Sequence, residues 1–316
     1  MAGRRVLITG VAGPIGAALA ARLARDPGVE RVIGVDTRPL EAGLAERIDL
    51  IAADLRAPDL GDRVAGSGAD VVVHNDVLQL PETGRPSSAL HDLNVIGTLQ
   101  LLTACAALGD LAAFVVRGSA AIYGAEASAP AFWAEDDARR FPMRTRFQRD
   151  VGELEDLVAG FARRNPRVTC TVLRMQPIVG LGADTPVGRW LNTPVAAPTV
   201  LGFDPRVQLL DSGDAVGALR AATLRPVTGA VNVGSTDVVV LSRVLRAAHR
   251  RALPVAGPVW NTVVGTARRV ARQPPLPPEV ERWLRHGRAV DITRMRTELG
   301  FEPARTSIEA AKGAAA

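Results

Sequence analysis

Lysine and tyrosine are almost absent from this chain of 316 residues, in which Lys312 is the only lysine and Tyr123 the only tyrosine. The formal charge of +5 (38 Lys and Arg against 33 Asp and Glu) therefore comes almost entirely from arginine. Arginine stays protonated, so it can stabilise an anion but cannot move a proton. A Tyr-x-x-x-Lys pair is excluded, because Ala127 stands four residues after Tyr123 and Lys312 lies in the tail.

Cysteine, histidine and aromatic residues are scarce as well. The two cysteines, Cys105 and Cys170, lie in apolar surroundings, which predicts reduced packing residues in a cytoplasmic protein. The four histidines are widely spread, so no metal-ligand spacing is present and we expect no metal. Aromatic residues make up 4% of the chain and do not alternate with a basic stripe, which argues against nucleic acid as a partner.

The sequence also lacks any stretch typical of a secretory signal or a membrane span. Its first residues lead almost at once into an apolar strand. The longest apolar region, Thr98 to Val116, is interrupted by Gly109-Asp110. With 47% hydrophobic residues, the chain can bury a sizeable core. We therefore expect a cytoplasmic globular protein of one large or two smaller domains.

The most informative feature that is present is a run of three glycines after the first apolar segment. Val6 to Ile8 predicts a strand, Gly10, Gly13 and Gly16 follow at a spacing of three, and an Ala- and Leu-rich stretch comes next. The pattern predicts a strand, a tight turn and a helix. The free N–H groups at the start of such a helix can bind a pyrophosphate.

A carboxylate stands at the expected distance from this loop. A second predicted strand, Arg31 to Val35, ends in Asp36, about 20 residues past the last glycine. Such a carboxylate can accept both ribose hydroxyls of an adenosine and repels the 2′-phosphate of NADP. We therefore expect NAD as the cofactor, and Arg38 keeps NADP open as the alternative.

Strands and helices alternate through the first part of the chain. The further predicted strands are Arg47–Ala52, Asp70–His74, Ala113–Val116 and Val168–Leu173, and the predicted helices are Pro86–Leu108 and Arg146–Arg164. The fourth strand is a continuous apolar run, as in parallel strands buried on both faces. The fold class is therefore α/β, a Rossmann-type doubly wound parallel sheet.

From Met175 onwards proline and glycine recur and the alternation fades. We predict a dinucleotide-binding domain of residues 1–176 plus about 207–233. A small substrate-binding region would consist of about 177–206 plus 234–316.

An ordered set of motifs resembles the extended short-chain dehydrogenase/reductase superfamily, the group of UDP-galactose 4-epimerase and nucleotide-sugar dehydratases. The matching stretches are Thr9–Gly16, Asp36, Asp54-Leu55, Val73-His74, Asn94–Thr98, Ser119–Gly124, Leu173-Arg174, Val179-Gly180, Asp214–Val216 and Asn232–Gly234. They run in family order over almost the whole chain. The segment Asp291–Gly300 is similar to the C-terminal part of actinobacterial epimerase-like paralogues.

The resemblance implies roles for named residues. The cofactor-binding set would be Gly10, Gly13, Pro14, Ile15, Gly16, Asp36, Arg38, Asp54, Leu55 and His74. Within it Asp54 would touch adenine, while Ser119 would hydrogen-bond a substrate hydroxyl or carbonyl. In many relatives the helices corresponding to Pro86–Leu108 and Arg146–Arg164 pair across a two-fold axis, which implies a homodimer.

The chain departs from the family where the chemistry is carried out. The family uses a tyrosine and a lysine four residues apart on one helical face, and this sequence has Phe147 and Val151 there. Phenylalanine has no proton to give and valine has no charge. Usual family acid–base chemistry is therefore absent.

Two residues are candidates to replace the missing pair. Asp76 follows the fourth strand, where relatives carry small apolar residues, and is predicted near the nicotinamide end as an acid or base. The alternative is that Asp76 is solvated or caps a helix. Arg149 could supply positive charge in place of the lysine. His74 lies at a strand end, where a packed, hydrogen-bonded residue is expected rather than a catalyst.

Two arginine-rich stretches remain. Five arginines between Arg139 and Arg149 follow Glu135, Asp136 and Asp137, and form either a solvated, acid-paired face or a phosphate site. Residues 259–272 combine an apolar stripe with three arginines. They predict a helix packed on its own domain or, alternatively, a contact with a membrane surface or partner protein.

Three functions compete on these grounds. The first is an atypical NAD-binding epimerase or dehydratase that acts, through Ser119 with Asp76 or Arg149, on a nucleotide-linked or phosphorylated, sugar-like substrate. The second is a catalytically inactive NAD-binding sensor or scaffold. The third is a peripheral membrane or scaffold role that uses the helix around Trp260. Whether the protein is an enzyme is left open by the sequence.

Overall fold

A computed structural model describes residues 3–79, 88–180, 185–192, 196–270, 272 and 276–315. The first two residues of the predicted helix Pro86–Leu108 lie outside this part of the chain. The strands are β1 (Arg4–Thr9), β2 (Val29–Asp36), β3 (Asp49–Ala52), β4 (Val71–His74), β5 (Ala113–Ser119), β6 (Thr169–Met175), β7 (Ile178–Val179), β8 (Ala197–Val200), β9 (Arg206–Val207), β10 (Leu210–Asp211), β11 (Gly229–Val233), β12 (Val239–Val240) and β13 (Ala252–Val255).

The α-helices are α1 (Pro14–Leu23), α2 (Ala42–Ala45), α3 (Leu60–Ala65), α4 (Ser88–His91), α5 (Thr98–Ala106), α6 (Arg146–Arg164), α7 (Pro186–Leu191), α8 (Ser212–Leu224), α9 (Leu241–Ala247), α10 (Trp260–Val270), α11 (Pro278–His286), α12 (Thr293–Thr297) and α13 (Ser307–Ala315). A π-helical segment, Asp92–Gly97, joins α4 to α5. The sequence predicted α6 with the bounds that it has.

Seven strands form one parallel sheet in the order β11-β6-β5-β4-β1-β2-β3. Strand β1 is buried on both faces of the sheet. Val6 and Ile8 enter one apolar cluster, and Leu7 enters another on the opposite face. The apolar run in the sequence is therefore continuous. Helices α1 and α8 cover the first face, and α3 and α5 the second. The predicted Rossmann-type fold is confirmed.

A separate apolar cluster is built from the later part of the chain. It contains Trp190, Leu245 and Trp283 and draws on short two-stranded sheets, of which β9 with β12 is antiparallel. The segment around Met295 packs against the main sheet instead, beside β11. The C-terminal part of the chain therefore contacts both cores.

The strand order directs the functional side chains to one edge. All seven strands are parallel, so their carboxyl ends lie along the same side of the sheet, and this side is the edge meant here. The connections from β1 and β4, which are neighbours, lead to opposite faces and leave a crevice between them. The glycine loop, Asp36, Asp54, His74 and Ser119 all lie along this edge.

We expect Gly16→Ala to destabilise the fold, because a Cβ there would overlap the carbonyl group of Gly10. Overpacking of this kind costs about 1–3 kcal/mol. Gly61→Ala is the matched control, since Gly61 is also helical and its Cβ would meet nothing within 4 Å. Urea unfolding should show a loss for Gly16→Ala and none for Gly61→Ala. Equal stability of the two variants would contradict this account of the loop.

Candidate active site

The glycine loop is held in place by the backbones around it. Gly10 has φ +63°, a conformation that favours glycine, and its N–H donates to Val35 O at 2.9 Å. Pro14 and Ile15 open α1, and Ile15 packs against the core. The loop therefore brings the start of α1 to the edge of the sheet, where its N–H groups face the crevice.

Asp36 is a buried carboxylate at the end of β2, directly beside this loop. Its side chain is only 5% exposed and accepts from Ala12 N at 2.9 Å. Arg38 returns to the same carboxylate through its backbone N–H at 3.0 Å and its Nε at 3.1 Å. The fixed orientation suits Asp36 to hydrogen-bonding a ribose.

Asp54 repeats this arrangement one strand away. Arg56 donates its backbone N–H to Asp54 Oδ1 at 2.9 Å and its Nε at 2.8 Å. The two Asp-x-Arg pairs line one cavity of about 30 Å³, which Leu55 and Leu93 also line. In this arrangement Arg38 and Arg56 lie on the two carboxylates that the resemblance assigns to the ribose and the adenine.

His74 is enclosed between two threonines. Its Nδ1 and Nε2 lie 2.9 Å from Thr9 Oγ1 and Thr98 Oγ1, and the ring is fully buried. Burial, with Arg117 nearby, lowers the pKa of His74 to about 3, so the ring is neutral. His74 thus braces β1 against α5 beneath the crevice.

Asp76 lies against the glycine loop. A Cβ on Gly10 would be 3.1 Å from Asp76 Oδ1, and Asp76 lines the same cavity as Asp36 and Asp54. The carboxylate is therefore beside the predicted adenosine end of the crevice. Its predicted role as an acid or base stays a prediction.

The loop that carries Asp76 is held by a buried arginine. Arg117 of β5 donates to Asn75 O at 2.8 and 3.0 Å and to Val77 O at 2.7 Å. Burial lowers the pKa of Arg117 to about 10, and Asp76 opposes that shift. Arg117 therefore remains charged at neutral pH. Asn75 donates to Gly10 O at 3.2 Å, and its own buried Oδ1 has no partner among the residues described.

Ser119 ends β5 and caps the short helix that follows. Its Oγ accepts from Ala121 N at 3.2 Å and from Gln79 Nε2 at 3.4 Å. Both contacts occupy the oxygen as an acceptor, so the hydroxyl hydrogen can be donated to another group. Gln79 was not anticipated from the sequence, because nothing in the local pattern links it to Ser119.

Tyr123 is part of the core. Its hydroxyl donates to Asn232 Oδ1 at 2.6 Å and accepts from Arg174 at 2.9 Å, while its ring stacks on Trp133. Burial raises the pKa of Tyr123 to about 12. The one tyrosine of the chain is therefore a structural residue.

The start of α6 has an apolar inward face. Thr145 caps the helix, and Phe147 and Val151 are buried in the main core. Arg149 is exposed and donates to Met143 O at 3.3 Å. Residues two apart on a helix point in nearly opposite directions, so Arg149 is not brought to Ser119.

A hydrogen-bonded pair at this point was missed in the sequence. Asp150, which lies on the inward face between Phe147 and Val151, accepts from His91 Nδ1 at 2.9 Å. The helical period places Asp150 on that face, so the period could have signalled it. His91 lies 59 positions away and could not be paired with it by pattern.

A second buried arginine lies beyond Ser119, at the ends of β5 and β6. Arg288 donates to Gly124 O at 3.1 Å and to Gln176 Oε1 at 3.4 Å. Burial lowers the pKa of Arg288 to about 10, against the attraction of Tyr123 and Glu279. Within the chain as described, no carboxylate lies within 4 Å of its guanidinium.

The two arginine-rich stretches behave differently. Arg139 and Arg144 pair with Asp156 at 2.7 Å and Glu126 at 2.9 Å, which fits a solvated, acid-paired face. In α10, Trp260 is buried whereas Val270 is 80% exposed.

None of the helices in the described ranges is long and apolar enough to cross a bilayer. The described ranges also contain no cluster of three metal-ligating side chains.

Comparison with known proteins identifies a family for the sequence. The model of the NAD dependent epimerase/dehydratase family matches residues 6–234. Uncharacterized proteins of Mycobacterium tuberculosis and Mycobacterium bovis are 34% identical over 309 residues, which cover 96% of this chain and 81% of theirs.

Three solved structures share the fold. MoeE5 with UDP-glucuronic acid and NAD has a TM-score of 0.72 and 22% identity, over 97% of this chain and 96% of that one. UDP-glucose 4-epimerase of Thermotoga maritima with UDP-glucose has 0.72 and 19%, over 98% and 97%. dTDP-glucose 4,6-dehydratase of Bacillus anthracis with NAD has 0.71 and 14%, over 98% and 94%.

We predict a measurable pH dependence from His74. Its pKa falls from 6.5 to about 3 on folding, so the unfolded chain binds a proton there between these pH values and the folded chain does not. The contribution of His74 to the free energy of unfolding is fully present above pH 6.5 and is lost as the pH falls towards 3. This histidine alone should remove about 2 kcal/mol between pH 7 and pH 5. Urea unfolding should show a flatter pH dependence for His74→Gln, and identical slopes would contradict the assignment.

Proposed function

Because the chain belongs to the NAD dependent epimerase/dehydratase family, we propose that it binds NAD and acts on a nucleotide-linked, sugar-like substrate without a tyrosine–lysine pair. The observation that carries the proposal is the buried carboxylate of Asp36, which is fixed by Ala12 N beside a glycine loop. A loop of this kind accepts a pyrophosphate, and the carboxylate selects the ribose.

The residues around the loop fit NAD. Asn75 Oδ1 is a buried acceptor that no described residue satisfies, next to Gly10, so a ligand hydroxyl could donate to it. Asp36 favours NAD because its carboxylate repels a 2′-phosphate, and Arg38 keeps NADP as the alternative. Asp54 would receive the adenine amino group once Arg56 turns away. NAD supplies an acceptor for hydride from a carbon that bears a hydroxyl group.

The far side of the crevice suits an anionic, hydroxyl-bearing substrate. Ser119 offers a hydroxyl hydrogen, and Arg288 offers a guanidinium whose hydrogen-bond acceptors, among the residues described, are neutral oxygens. A charged donor of that kind binds a phosphate strongly. MoeE5 and the Thermotoga epimerase are described with UDP-linked sugars, which supports this substrate class.

A second candidate is an NAD-binding protein that does not turn substrate over. It is favoured by Phe147 and Val151, which pack in the core where the resemblance aligns the family's acid–base pair. Of the two replacements suggested by sequence, Asp76 remains a candidate acid or base beside Gly10. Arg149 faces solvent, so the proposal gives it no part.

Cofactor binding is tested by ligand-dependent stability. NAD should raise the unfolding free energy of cofactor-stripped protein by about 2.7 kcal/mol at a hundredfold excess over its dissociation constant. Asp36→Asn should lose most of this gain, because the amide cannot accept two ribose hydroxyls as a carboxylate does. Asp49→Asn, at the opposite edge of the sheet, is the control. If neither NAD nor NADP raised the free energy of unfolding, a cofactor site at the glycine loop and Asp36 would be excluded.

Turnover is tested with UDP-glucose and UDP-glucuronic acid in the presence of NAD. An epimerase or dehydratase returns the hydride to the sugar within each cycle, so we follow the conversion of the sugar nucleotide itself by proton NMR. Ser119→Ala should slow this conversion by about 10- to 100-fold, the value of a hydrogen bond to developing charge. Ser242→Ala, on α9, should match the wild type. Cofactor binding without any turnover would favour the inactive protein, and an unaffected Ser119→Ala would exclude this site.

A further inference from the structure

The inward face of the first turns of α6, from Phe147 to Leu154, carries one carboxylate among apolar side chains. Phe147, Asp150, Val151 and Leu154 share that face at helical spacing, and all are buried. The Asp150 side chain is 5% exposed. A buried carboxylate is costly unless it is paired, and the partner here is His91 Nδ1 at 2.9 Å. Asp150 thus occupies the turn of α6 that the resemblance aligns with the family's acid–base pair.

The geometry assigns the tautomer of His91. An aspartate acceptor at Nδ1 means that the neutral ring carries its hydrogen on Nδ1 and a lone pair on Nε2. The side chain of His91 is 34% exposed, and Nε2 has no partner among the described residues. A carboxylate that orients an imidazole in this way leaves the other nitrogen ready to act as a base.

The backbone next to His91 is fixed to the crevice. A π-helical segment follows it directly, and such segments often occur at functional sites. Asn94, three positions after His91 and on the same side of the helix, holds Leu78 by two hydrogen bonds of 2.9 Å. The next residue, Gln79, reaches Ser119. The turn carrying His91 is therefore tied to the Ser119 end of the crevice.

We propose that His91, oriented by Asp150, is the acid–base residue of this protein in place of the missing tyrosine and lysine; this rests on the proposed function. His91 Nε2 takes the proton of the substrate hydroxyl as the O–H bond breaks. The hydrogen on the same carbon leaves with its electron pair to oxidised NAD, and the carbonyl C=O forms. In the reverse direction His91 returns the proton. Asp150 acts through His91 and is a positioning residue.

Two single variants test the pair with UDP-glucuronic acid and NAD. His91→Gln and Asp150→Asn should each lower the rate of sugar-nucleotide conversion by about 10²- to 10⁴-fold, the usual contribution of a positioned acid or base. The double variant should be no slower than the slower single variant, because the residues act as a unit. NAD-dependent stabilisation should be retained. Glu153→Gln, an exposed carboxylate on the same helix, is the matched control and should behave as wild type.

A second readout does not depend on turnover. The chain has four histidines, so the ring nitrogens can be followed by NMR and His91 assigned from His91→Gln. UDP-glucuronic acid with NAD should shift the His91 Nε2 signal, and Asp150→Asn should change the ratio of the two tautomers. A pair that only joins α4 to α6 would change its tautomer ratio in Asp150→Asn as well, but its Nε2 signal would not respond to the ligands.

The outcomes separate the two proposals. Turnover by the wild type with rates within twofold in both variants would overturn the role of His91 and leave the proposed function standing. A wild type that shifts the His91 signal but converts no sugar nucleotide would overturn the proposed enzyme and keep His91 as a substrate contact. An unchanged His91 signal on addition of both ligands overturns the inference in either case.

Discussion

Close packing of three backbone segments around Gly10 is the constraint on which the rest of the site depends. The N–H of Gly10 bonds to β2, its carbonyl accepts from Asn75, and the same carbonyl group excludes any side chain at Gly16. The ends of β1, β2 and β4 are thereby fixed with respect to one another. Asp36 and Asp76 consequently reach one cavity although 40 positions separate them. A side chain at Gly10 or Gly16 would push these segments apart, so it would disturb the fold even without a ligand.

The near absence of lysine determines what the charges at the site can do. Arg38 and Arg56 neutralise carboxylates, and Arg117 and Arg288 are held by backbone or amide oxygens. None of these groups releases a proton near neutral pH. Proton transfer must therefore fall to a carboxylate or a histidine. Burial keeps His74 neutral, so the candidates that remain are the carboxylate of Asp76 and the imidazole of His91, for which we propose this role.

The features that the sequence predicted are those set by local pattern. The glycine loop, Asp36 at a strand end and the bounds of α6 follow from periodicity and spacing, because neighbouring residues determine them. The outward direction of Arg149 also follows from the helical period, two positions from Phe147. The links from Arg117 to Asn75, from Gln79 to Ser119 and from His91 to Asp150 join residues 40 or more positions apart. Only the packing of the strands and helices determines such contacts.

The packing also shows what stabilises the start of α6, where the sequence resemblance aligns Phe147 and Val151 with the family's acid–base pair. Phe147 and Val151 belong to the same apolar cluster as Tyr123 and Leu173, so apolar side chains stabilise the start of α6 at that point. The cofactor half depends on Gly10 and the ends of β1, β2 and β4, none of which requires a charge on α6. Arg288 approaches from the C-terminal part of the chain, on a segment whose Val290 bonds to Gln208. The residues around Gly10, the segment that carries Arg288 and the start of α6 are thus held by separate sets of contacts. A change in the chemistry on α6 can therefore leave the other two intact.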